Sequence, residues 1–311
     1  MGDAFMKIAA LAGGVGAAKL ISGLVKLISP KDLTVIVNTG DDVILHGLYI
    51  SPDVDIITYT LAGLVDERRG WGIKEDTYNC LEMLGKYGGE TWFNLGDKDL
   101  ATHIFRTKML KEGFTLTQIA KKFTSLLNVQ ASILPMSDER VETMIHIEGG
   151  MINFQRYLVE RGARDEVLGV EFIGARSARP APGVIESLLA AEKVVVCPSN
   201  PVVSIGPILA VHEIRDTLRE LKTPVVAVSP IIQGSPVKGP ADKLMRGLNL
   251  EVSARSVASL YKEFLDTMVI DEKDEAEEES IKSMGLKVLK TDIAMRSLED
   301  KVRVAKLILE A

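Results

Sequence analysis

Three closely spaced glycines near the start of the chain are suited to binding an anion. Gly13, Gly14 and Gly16 follow a short apolar segment and precede a helix-like run of small and apolar residues. Glycine permits a sharp turn and a close approach of the backbone to a ligand, and the free amides at a helix start attract phosphate. The stretch therefore predicts a phosphate site with Lys19 in reach. A glycine turn that serves only helix packing, with Lys19 on the surface, is the alternative.

Three carboxylates further along the chain suggest a metal site. Asp41 and Asp42 follow a predicted strand, and Asp55 lies in a segment that opens a predicted helix, where Ser51 or Asp53 would be the N-cap. Acids gathered near a phosphate repel it unless a cation intervenes, and Mg²⁺ prefers oxygen ligands. Two interpretations stay open: a magnesium site made by Asp41, Asp42 and Asp55, or acids that only cap turns and helices.

Two later strands, at residues 194–196 and 225–228, are each followed by a loop rich in serine, asparagine, glycine and proline. Prolines stiffen such loops, and hydroxyls, amides and free backbone N–H groups can donate to phosphate or to a base edge. Two such loops at strand ends of one sheet favour a ligand site over a purely structural role. We therefore expect nucleotide contacts from Ser199, Asn200, Ser204, Ser229, Pro230, Lys238 and Gly239.

A predicted helix over residues 99–111 carries two further candidates. His103 and Arg106 lie about one turn apart and share a face of that helix. Both are candidates for ligand contact, although a lone histidine in a helix is more often an ordinary core or surface residue.

The elements that must position these residues alternate between strands and helices. The apolar, β-branched run 33–37 is typical of a strand covered on both faces, as in a parallel sheet. We predict an α/β, Rossmann-like fold: a mostly parallel sheet with helices on both faces, forming a single nucleotide-binding domain over residues 1–311. The other predicted elements are a strand at 7–11, helices at 17–28, 75–86, 99–111, 116–127 and 294–309, a mainly helical insertion at about 60–128, a hairpin around residues 149–150, and a solvated acidic helix face or turn at 271–279.

Composition narrows the class of protein. The 311 residues are 46% hydrophobic and 26% charged, with a net charge of −6, which argues against binding nucleic acid through overall charge. No apolar run approaches the roughly 18 residues of a membrane span. Cys80 and Cys197 are too few and too far apart for a disulfide framework or a zinc site, and Cys197 is expected in the core. We expect a cytoplasmic protein without membrane or nucleic-acid partners.

Eight motifs then occur in order over nearly the whole chain: GGVGAAKL, NTGDD, ISPDVD, RGWGIKEDT, WFNLGDKDLATH, LPMSDERVET, CPSNPVVSIGPI and AVSPIIQGSPVKGPADKLM. Together they resemble the 2-phospho-L-lactate transferase family, which acts in biosynthesis of the deazaflavin coenzyme factor 420. The resemblance implies a magnesium-dependent enzyme of the type found in archaeal methanogens. Its donor would be guanosine diphosphate with lactate, or a related three-carbon acid, on the terminal phosphate, and 2-phospho-L-lactate or the related phosphorylated acid would be the group transferred. The acceptor would be the ribityl hydroxyl of 8-hydroxy-5-deazariboflavin, GMP would be released, and we expect a homodimer.

The resemblance also implies roles for individual residues. The glycine turn and the two proline-rich loops would hold the guanine nucleotide. Asp42 and Asp55 would bind magnesium or orient the acceptor hydroxyl, and either would be the general base. The residues expected to contact the deazaflavin acceptor are Asp55, Asn94, Asp97, Asp99, His103 and Arg106.

Two other functions are compatible with parts of this sequence. A related bacterial branch shares the glycine turn and the proline loops but resembles nucleotide-sugar-binding regulators of metabolism. The motifs RGWGIKEDT and WFNLGDKDLATH favour the transferase. A nicotinamide-dependent dehydrogenase is disfavoured because the glycine turn lacks the third glycine of the dinucleotide fingerprint.

Overall fold

The computed structural model of the chain describes residues 6–311, and its strands form one large sheet and three small ones. In chain order the strands are β1 (Ile8–Ala12), β2 (Leu33–Val37), β3 (Val43–Leu45), β4 (Leu48–Ile50), β5 (Ser132–Pro135), β6 (Glu142–Ile147), β7 (Gly150–Asn153), β8 (Gly169–Ile173), β9 (Lys193–Val196), β10 (Val225–Val228), β11 (Ile231–Ile232), β12 (Ser235–Pro236), β13 (Thr267–Asp271) and β14 (Lys287–Thr291). The large sheet has the order β14-β13-β10-β9-β1-β2-β5, with every neighbouring pair parallel. The prediction of a parallel sheet is confirmed.

The described residues contain twelve α-helices, some of which cover the two faces of the large sheet. They are α1 (Gly14–Leu24), α2 (Pro52–Leu61), α3 (Asn79–Lys86), α4 (Asp97–Lys111), α5 (Leu116–Leu126), α6 (Val184–Ala190), α7 (Ile205–Ala210), α8 (His212–Glu220), α9 (Ala241–Gly247), α10 (Ala254–Tyr261), α11 (Glu278–Lys282) and α12 (Leu298–Glu310). Buried residues of α1, α2 and α12 pack on one face of the sheet, and those of α6, α7, α8 and α10 pack on the other. No helix in residues 6–311 has both the length and the apolar character to cross a membrane.

Strand β1 shows why the apolar runs are continuous. Its residues Ile8 and Ala10 join the hydrophobic cluster on one face of the sheet, whereas Ala9 and Leu11 join the cluster on the other. Successive side chains of a strand alternate between faces, so a strand with helices on both sides is apolar at every position. All five residues of β1 are buried.

The segment between β4 and β5 contains helices α2 to α5. Helices α4 and α5 agree with the predicted positions, but α3 begins at Asn79 rather than at residue 75. The preceding residues form a turn instead, which is held by backbone N–H groups donating to the Asp76 and Asp97 carboxylates. Residues 1–5 of the predicted domain lie outside the described part of the chain.

The hairpin around residues 149–150 is confirmed, because β6 and β7 pair antiparallel there. Strand β8, from a separate segment, adds to the other side of β6. The acidic run 271–279 is only partly solvated: Asp271 ends β13 and is buried, and Asp274 is buried too. Asp271 accepts hydrogen bonds from the backbone of Lys273 and Ile293, so its carboxylate organises a turn at the sheet edge.

The order of the large sheet places a crevice beside β1. From β1 the chain proceeds to β2 on one side, whereas β9, on the other side of β1, proceeds to β10. Ligands of open α/β sheets bind at such a switch point, outside the carboxyl ends of the strands. The glycine turn follows β1 and the first proline-rich loop follows β9, so both lie at this crevice.

Candidate functional site

A cavity of about 410 Å³ opens at the carboxyl edge of the large sheet. Loops that follow β1, β9 and β10 contribute to its wall, together with the start of α2 and residues of α4. The structure brings together every residue predicted to contact a nucleotide, namely Gly13, Gly14, Gly16, Lys19, Ser199, Asn200, Ser204, Ser229, Pro230, Lys238 and Gly239.

The glycine turn is locked to the loop after β9. The Ser199 hydroxyl accepts from the Gly13 N–H at 3.1 Å and donates to the Gly13 carbonyl oxygen at 2.8 Å. At Gly16 a Cβ atom would collide with the carbonyl oxygen of Pro198. Gly14 has φ +69°, a left-handed conformation that favours glycine. These contacts show why glycine is required at these positions: the backbones of the two loops pack too closely for larger side chains.

Asp53 lies against this turn. A Cβ atom at Gly13 would be 2.6 Å from the Asp53 Oδ2 atom, so the carboxylate occupies the space that the missing side chain leaves. Burial raises the pKa of Asp53 to about 6, although the Asn38 amide and the Gly14 N–H act in the opposite direction. The sequence suggested Asp53 only as an N-cap, but helix α2 has Ser51 at that position. Asp53 is one of the cavity residues that sequence reasoning missed.

Asp53 and Asp41 form a buried carboxylate pair. The Asn38 Nδ2 atom donates to Asp53 Oδ2 at 2.9 Å and also to Asp41 Oδ1. Burial raises the pKa of Asp41 well above its usual range, and the negative charges of Asp53 and Asp42 add to the effect. Within residues 6–311 no basic side chain forms an ion pair with Asp41 or Asp53. Two buried carboxylates without a counter-ion are a donor set that suits a hard divalent cation.

In the described residues the predicted trio of Asp41, Asp42 and Asp55 is not a group whose ligand atoms all lie within 4.8 Å of one another. Asp42 is absent from the cavity wall, and its Oδ1 atom accepts from the Ser51 hydroxyl at 2.8 Å. Asp55 lines the cavity, but both of its oxygens accept from the Arg106 guanidinium, with Oδ2 3.0 Å from Nη1. Burial also raises the pKa of Asp42 well above its usual range. Asp41 therefore pairs with Asp53, while Asp42 and Asp55 have other partners.

The predicted acceptor residues separate into two groups. Asp55, Asn94, Asp99 and His103 line the cavity, whereas Asp97 and Arg106 do not. The Asp97 carboxylate accepts from the Thr77 hydroxyl at 2.6 Å and from the backbone of Asn79 and Cys80, so it holds the loop before α3. Hydrogen bonding from Thr77 is the main cause that lowers the pKa of Asp97 to about 2. Arg106 is buried behind Asp55.

His103 lies between two carboxylates. Its Nδ1 atom is 3.7 Å from Asp55 Oδ2, and its Nε2 atom is 3.3 Å from Asp99 Oδ2. The Arg106 guanidinium lies 3.3 Å from Nδ1, and the Tyr59 hydroxyl donates to Asp99 at 2.7 Å. Asp55, Asp99 and His103 are close enough for a metal site. Because opposite ring nitrogens face the two carboxylates and a guanidinium already lies beside them, the group is better described as a buried ion-pair network.

Aromatic and cationic side chains complete the cavity wall. The insertion contributes Trp71 and Phe93, and the segment after β7 contributes Phe154. Lys19 and Lys238 also line the cavity, and burial, followed by repulsion from neighbouring cations, lowers the pKa of each lysine. In the described part of the chain neither lysine forms an ion pair with an acid. The cavity therefore combines an acidic pair, two free ammonium groups and an aromatic surface.

Comparisons with known proteins identify close relatives. A family model described as 2-phospho-L-lactate transferase CofD matches residues 8–308. The chain is 40% identical over 299 residues to a 2-phospho-L-lactate transferase of Methanosarcina mazei, covering 96% of this chain and 98% of the relative. It is 41% identical to the enzyme of the same name from Methanopyrus kandleri (98% and 97% covered), and 40% identical to a phosphoenolpyruvate transferase of Streptomyces griseus (98% of each chain).

A solved structure supports the fold. A UPF0052 family protein from Bacillus halodurans superposes with a TM-score of 0.65 at 16% sequence identity, covering 97% of this chain and 98% of that one. At this level of identity the likeness concerns the fold alone.

Proposed function

The chain belongs to the 2-phospho-L-lactate transferase family, as its eight motifs suggest, and from that premise we propose the reaction that it catalyses. It is an enzyme, a transferase of factor 420 biosynthesis. Its proposed donor is guanosine diphosphate bearing a three-carbon acid on the terminal phosphate. Its proposed acceptor is the ribityl hydroxyl of 8-hydroxy-5-deazariboflavin. The hydroxyl oxygen forms the new bond to the terminal phosphorus, the bond to the inner phosphate breaks, and GMP leaves.

The transferred group is proposed to be either 2-phospho-L-lactate or phosphoenolpyruvate, so the acid on the terminal phosphate of the donor is lactate or enolpyruvate. Relatives named for each activity are about equally similar to this chain, at 40% to 41% identity. The same relatives come from methanogenic archaea and from Streptomyces, so similarity does not favour the archaeal type. An assay must therefore offer both donors.

Magnesium fits the acidic pair of Asp41 and Asp53, and these two residues are proposed to hold it in place of Asp42. Their oxygens are the ligand type that Mg²⁺ prefers. Burial without a basic partner destabilises the two charged carboxylates, and a bound cation would offset that cost. When bound, magnesium offsets negative charge on the phosphoryl group that is transferred. The observation that carries the proposal is this pair: both carboxylates line the cavity of a family transferase, and Asp53 lies against the glycine turn.

Asp55 is proposed to orient the acceptor hydroxyl and take its proton. Its carboxylate reaches the cavity, and the Arg106 guanidinium holds it from behind through two hydrogen bonds. A base held in one orientation lowers the entropic cost of aligning the attacking hydroxyl. Asn94, Asp99 and His103, with the aromatic side chains, would line the deazaflavin site. Lys19 and Lys238, the glycine turn and the two loops would hold the nucleotide.

The direct test is to incubate the purified protein with deazaflavin alcohol, magnesium and either the lactyl or the enolpyruvyl guanosine-diphosphate donor, and to analyse the products by mass spectrometry. We expect GMP and the phosphodiester product with at least one donor, and neither product with EDTA. Absence of product, from a folded protein that a uridine-diphosphate sugar stabilises and GDP does not, would instead support the nucleotide-sugar-binding regulator.

A variant tests the role of Asp55 separately. Asp55→Asn keeps the shape of the side chain but removes its basicity, so the transfer rate should fall by about 100-fold or more while GDP binding is retained. Asp242→Asn, on the surface of α9, is the matched control and should leave turnover unchanged. Normal turnover by Asp55→Asn would remove Asp55 from the mechanism.

A further inference from the structure

One polar side chain interrupts an otherwise apolar part of the cavity wall. In the described structure the segment after β7 lines the cavity with Phe154, Gln155, Leu158 and Val159, of which only Gln155 is polar. Gln155 is 5% exposed. A buried carboxamide costs free energy unless it is hydrogen-bonded, so its partner indicates why it is there.

That partner is Asp41. The Gln155 Nε2 atom lies 3.4 Å from Asp41 Oδ2, at the long end of hydrogen-bond distances, while the Asn38 amide donates to the other oxygen, Oδ1. The two amides come from different elements, since Asn38 follows β2 and Gln155 follows β7. Asp41 is thus held at both oxygens, and Gln155 is the contact from the cavity wall.

The backbone fixes Gln155 on both sides. Its N–H donates to the Asn153 side chain at 2.8 Å, and a π-helical turn, Arg156–Glu160, begins at the next residue. Such turns are rare in proteins, and those that occur are often found at functional sites. Arg156 stacks 5.3 Å from the Trp92 ring and pairs with Glu90 at 3.0 Å, which ties the turn to the insertion. Gln155 is therefore placed by contacts that do not involve Asp41.

We propose that Gln155 is a positioning residue for the magnesium site: its carboxamide sets the direction of the Asp41 carboxylate. The inference rests on the proposed function, because it assumes that Asp41 and Asp53 hold the cation. It adds a residue that the motifs did not indicate. Partners that orient a metal ligand typically contribute 10-fold to 100-fold in metal affinity or activity.

The test compares Gln155→Met, which keeps the length of the side chain and removes the amide, with Gln130→Met, which removes an exposed amide elsewhere. Mn²⁺ binding is followed by electron paramagnetic resonance, without and then with GDP. Transfer is measured separately as a function of Mg²⁺ concentration. We expect roughly tenfold weaker Mn²⁺ binding and a tenfold higher half-saturating Mg²⁺ concentration for Gln155→Met, with kcat at saturating Mg²⁺ little changed. Gln130→Met should match the wild type.

The readouts separate this inference from the proposed function. Wild-type protein that transfers normally, with Gln155→Met binding Mn²⁺ equally well, overturns the role of Gln155 and leaves the function intact. Weaker Mn²⁺ binding by Gln155→Met in a protein that forms no product supports Gln155 and rejects the function. Wild-type protein that binds no Mn²⁺ overturns the inference. If Gln155→Met unfolds, Gln155→Leu replaces it in the same measurements.

Discussion

Breaking the Asp55 and Arg106 ion pair should have a large effect, because both side chains are buried. Arg106 is 2% exposed and Asp55 is 6% exposed. Arg106→Met keeps much of the side-chain volume but leaves the Asp55 carboxylate without its guanidinium. The nearest cationic group that remains is His103, 3.7 Å away and uncharged unless it is protonated.

The expected loss follows from the burial of the pair. Removing one partner of a buried ion pair typically lowers the free energy of unfolding by about 3–5 kcal/mol, because the other charge is left desolvated. A solvent-exposed pair contributes about 1 kcal/mol or less. Arg246 and Asp242, one helical turn apart on α9, are close to this case, with side chains 62% and 24% exposed. Arg246→Met is therefore the matched control.

Denaturant unfolding monitored by circular dichroism measures both variants. We expect Arg106→Met to lower the free energy of unfolding by about 3–5 kcal/mol and Arg246→Met by less than about 1 kcal/mol. Adding Asp55→Asn to Arg106→Met should restore part of the loss, because the unpaired charge is then removed. That coupling would show that the two residues interact directly.

Two results would refute this reasoning. A loss below about 1 kcal/mol for Arg106→Met would mean that Asp55 is solvated or paired elsewhere. Additive effects of Arg106→Met and Asp55→Asn would mean that the residues do not interact in the folded protein. Either result would also remove the argument that Arg106 holds Asp55 toward the acceptor.

Three other residues give further expectations. Because burial raises the pKa of Asp53 to about 6 from its ordinary value near 4, the cation-free protein should lose stability as pH rises through that range. Mg²⁺ binds the ionised form, so it should raise the thermal unfolding temperature more near pH 7.5 than near pH 5. Gly16→Ala should cost about 1–3 kcal/mol in denaturant unfolding, because its Cβ would collide with Pro198, whereas Gly169→Ala has room. Lys193→Met should cost about 2 kcal/mol and speed hydrogen exchange in α12, since the Lys193 ammonium donates to three carbonyls at the end of that helix.

Most strands and helices of the fold can be predicted from the local sequence. Strands β2 and β10 have the predicted bounds. Their uninterrupted apolar, largely β-branched runs are typical of strands that are covered by helices on both faces of a parallel sheet. Helix ends are less well predicted. Helix α1 begins at Gly14 and not at residue 17, since glycine gives no propensity signal for a helix start. Helix α12 begins at Leu298 and not at residue 294, because Ser297 and Asp300 form a capping box there.

The sequence also predicts which residue types make up the site, but it does not predict which side chains contact one another. The glycine turn, the loops and the acids lie at strand ends, and a parallel sheet brings such ends together. Which carboxylate faces which partner depends on tertiary contacts. Asp55 meets Arg106 across 51 residues, and Gln155 meets Asp41 across 114. No local pattern encodes contacts of this range, so Asp53 and Gln155 could not be distinguished from ordinary capping and wall residues.

The glycine turn illustrates the difference between a motif and its ligand. Side chains are excluded at Gly13 and Gly16 by groups of the protein itself, the Asp53 carboxylate and the Pro198 carbonyl oxygen. A phosphate that approaches the turn would first meet Asp53, and two negative charges there repel each other. A divalent cation on Asp53 and Asp41 reverses the sign of that interaction. We therefore expect the turn to bind an anion only when such a cation is bound.

GDP affinity should then depend on magnesium. Replacing Mg²⁺ by EDTA removes at least one favourable charge contact worth about 1.4 kcal/mol, so the dissociation constant of GDP should rise by about tenfold or more in isothermal titration calorimetry. Asp53→Asn should weaken this dependence, because it removes both a cation ligand and the charge that repels phosphate. Equal GDP affinity with and without Mg²⁺ in the wild type would show that the glycine turn binds phosphate without the cation, and that the acidic pair has another role.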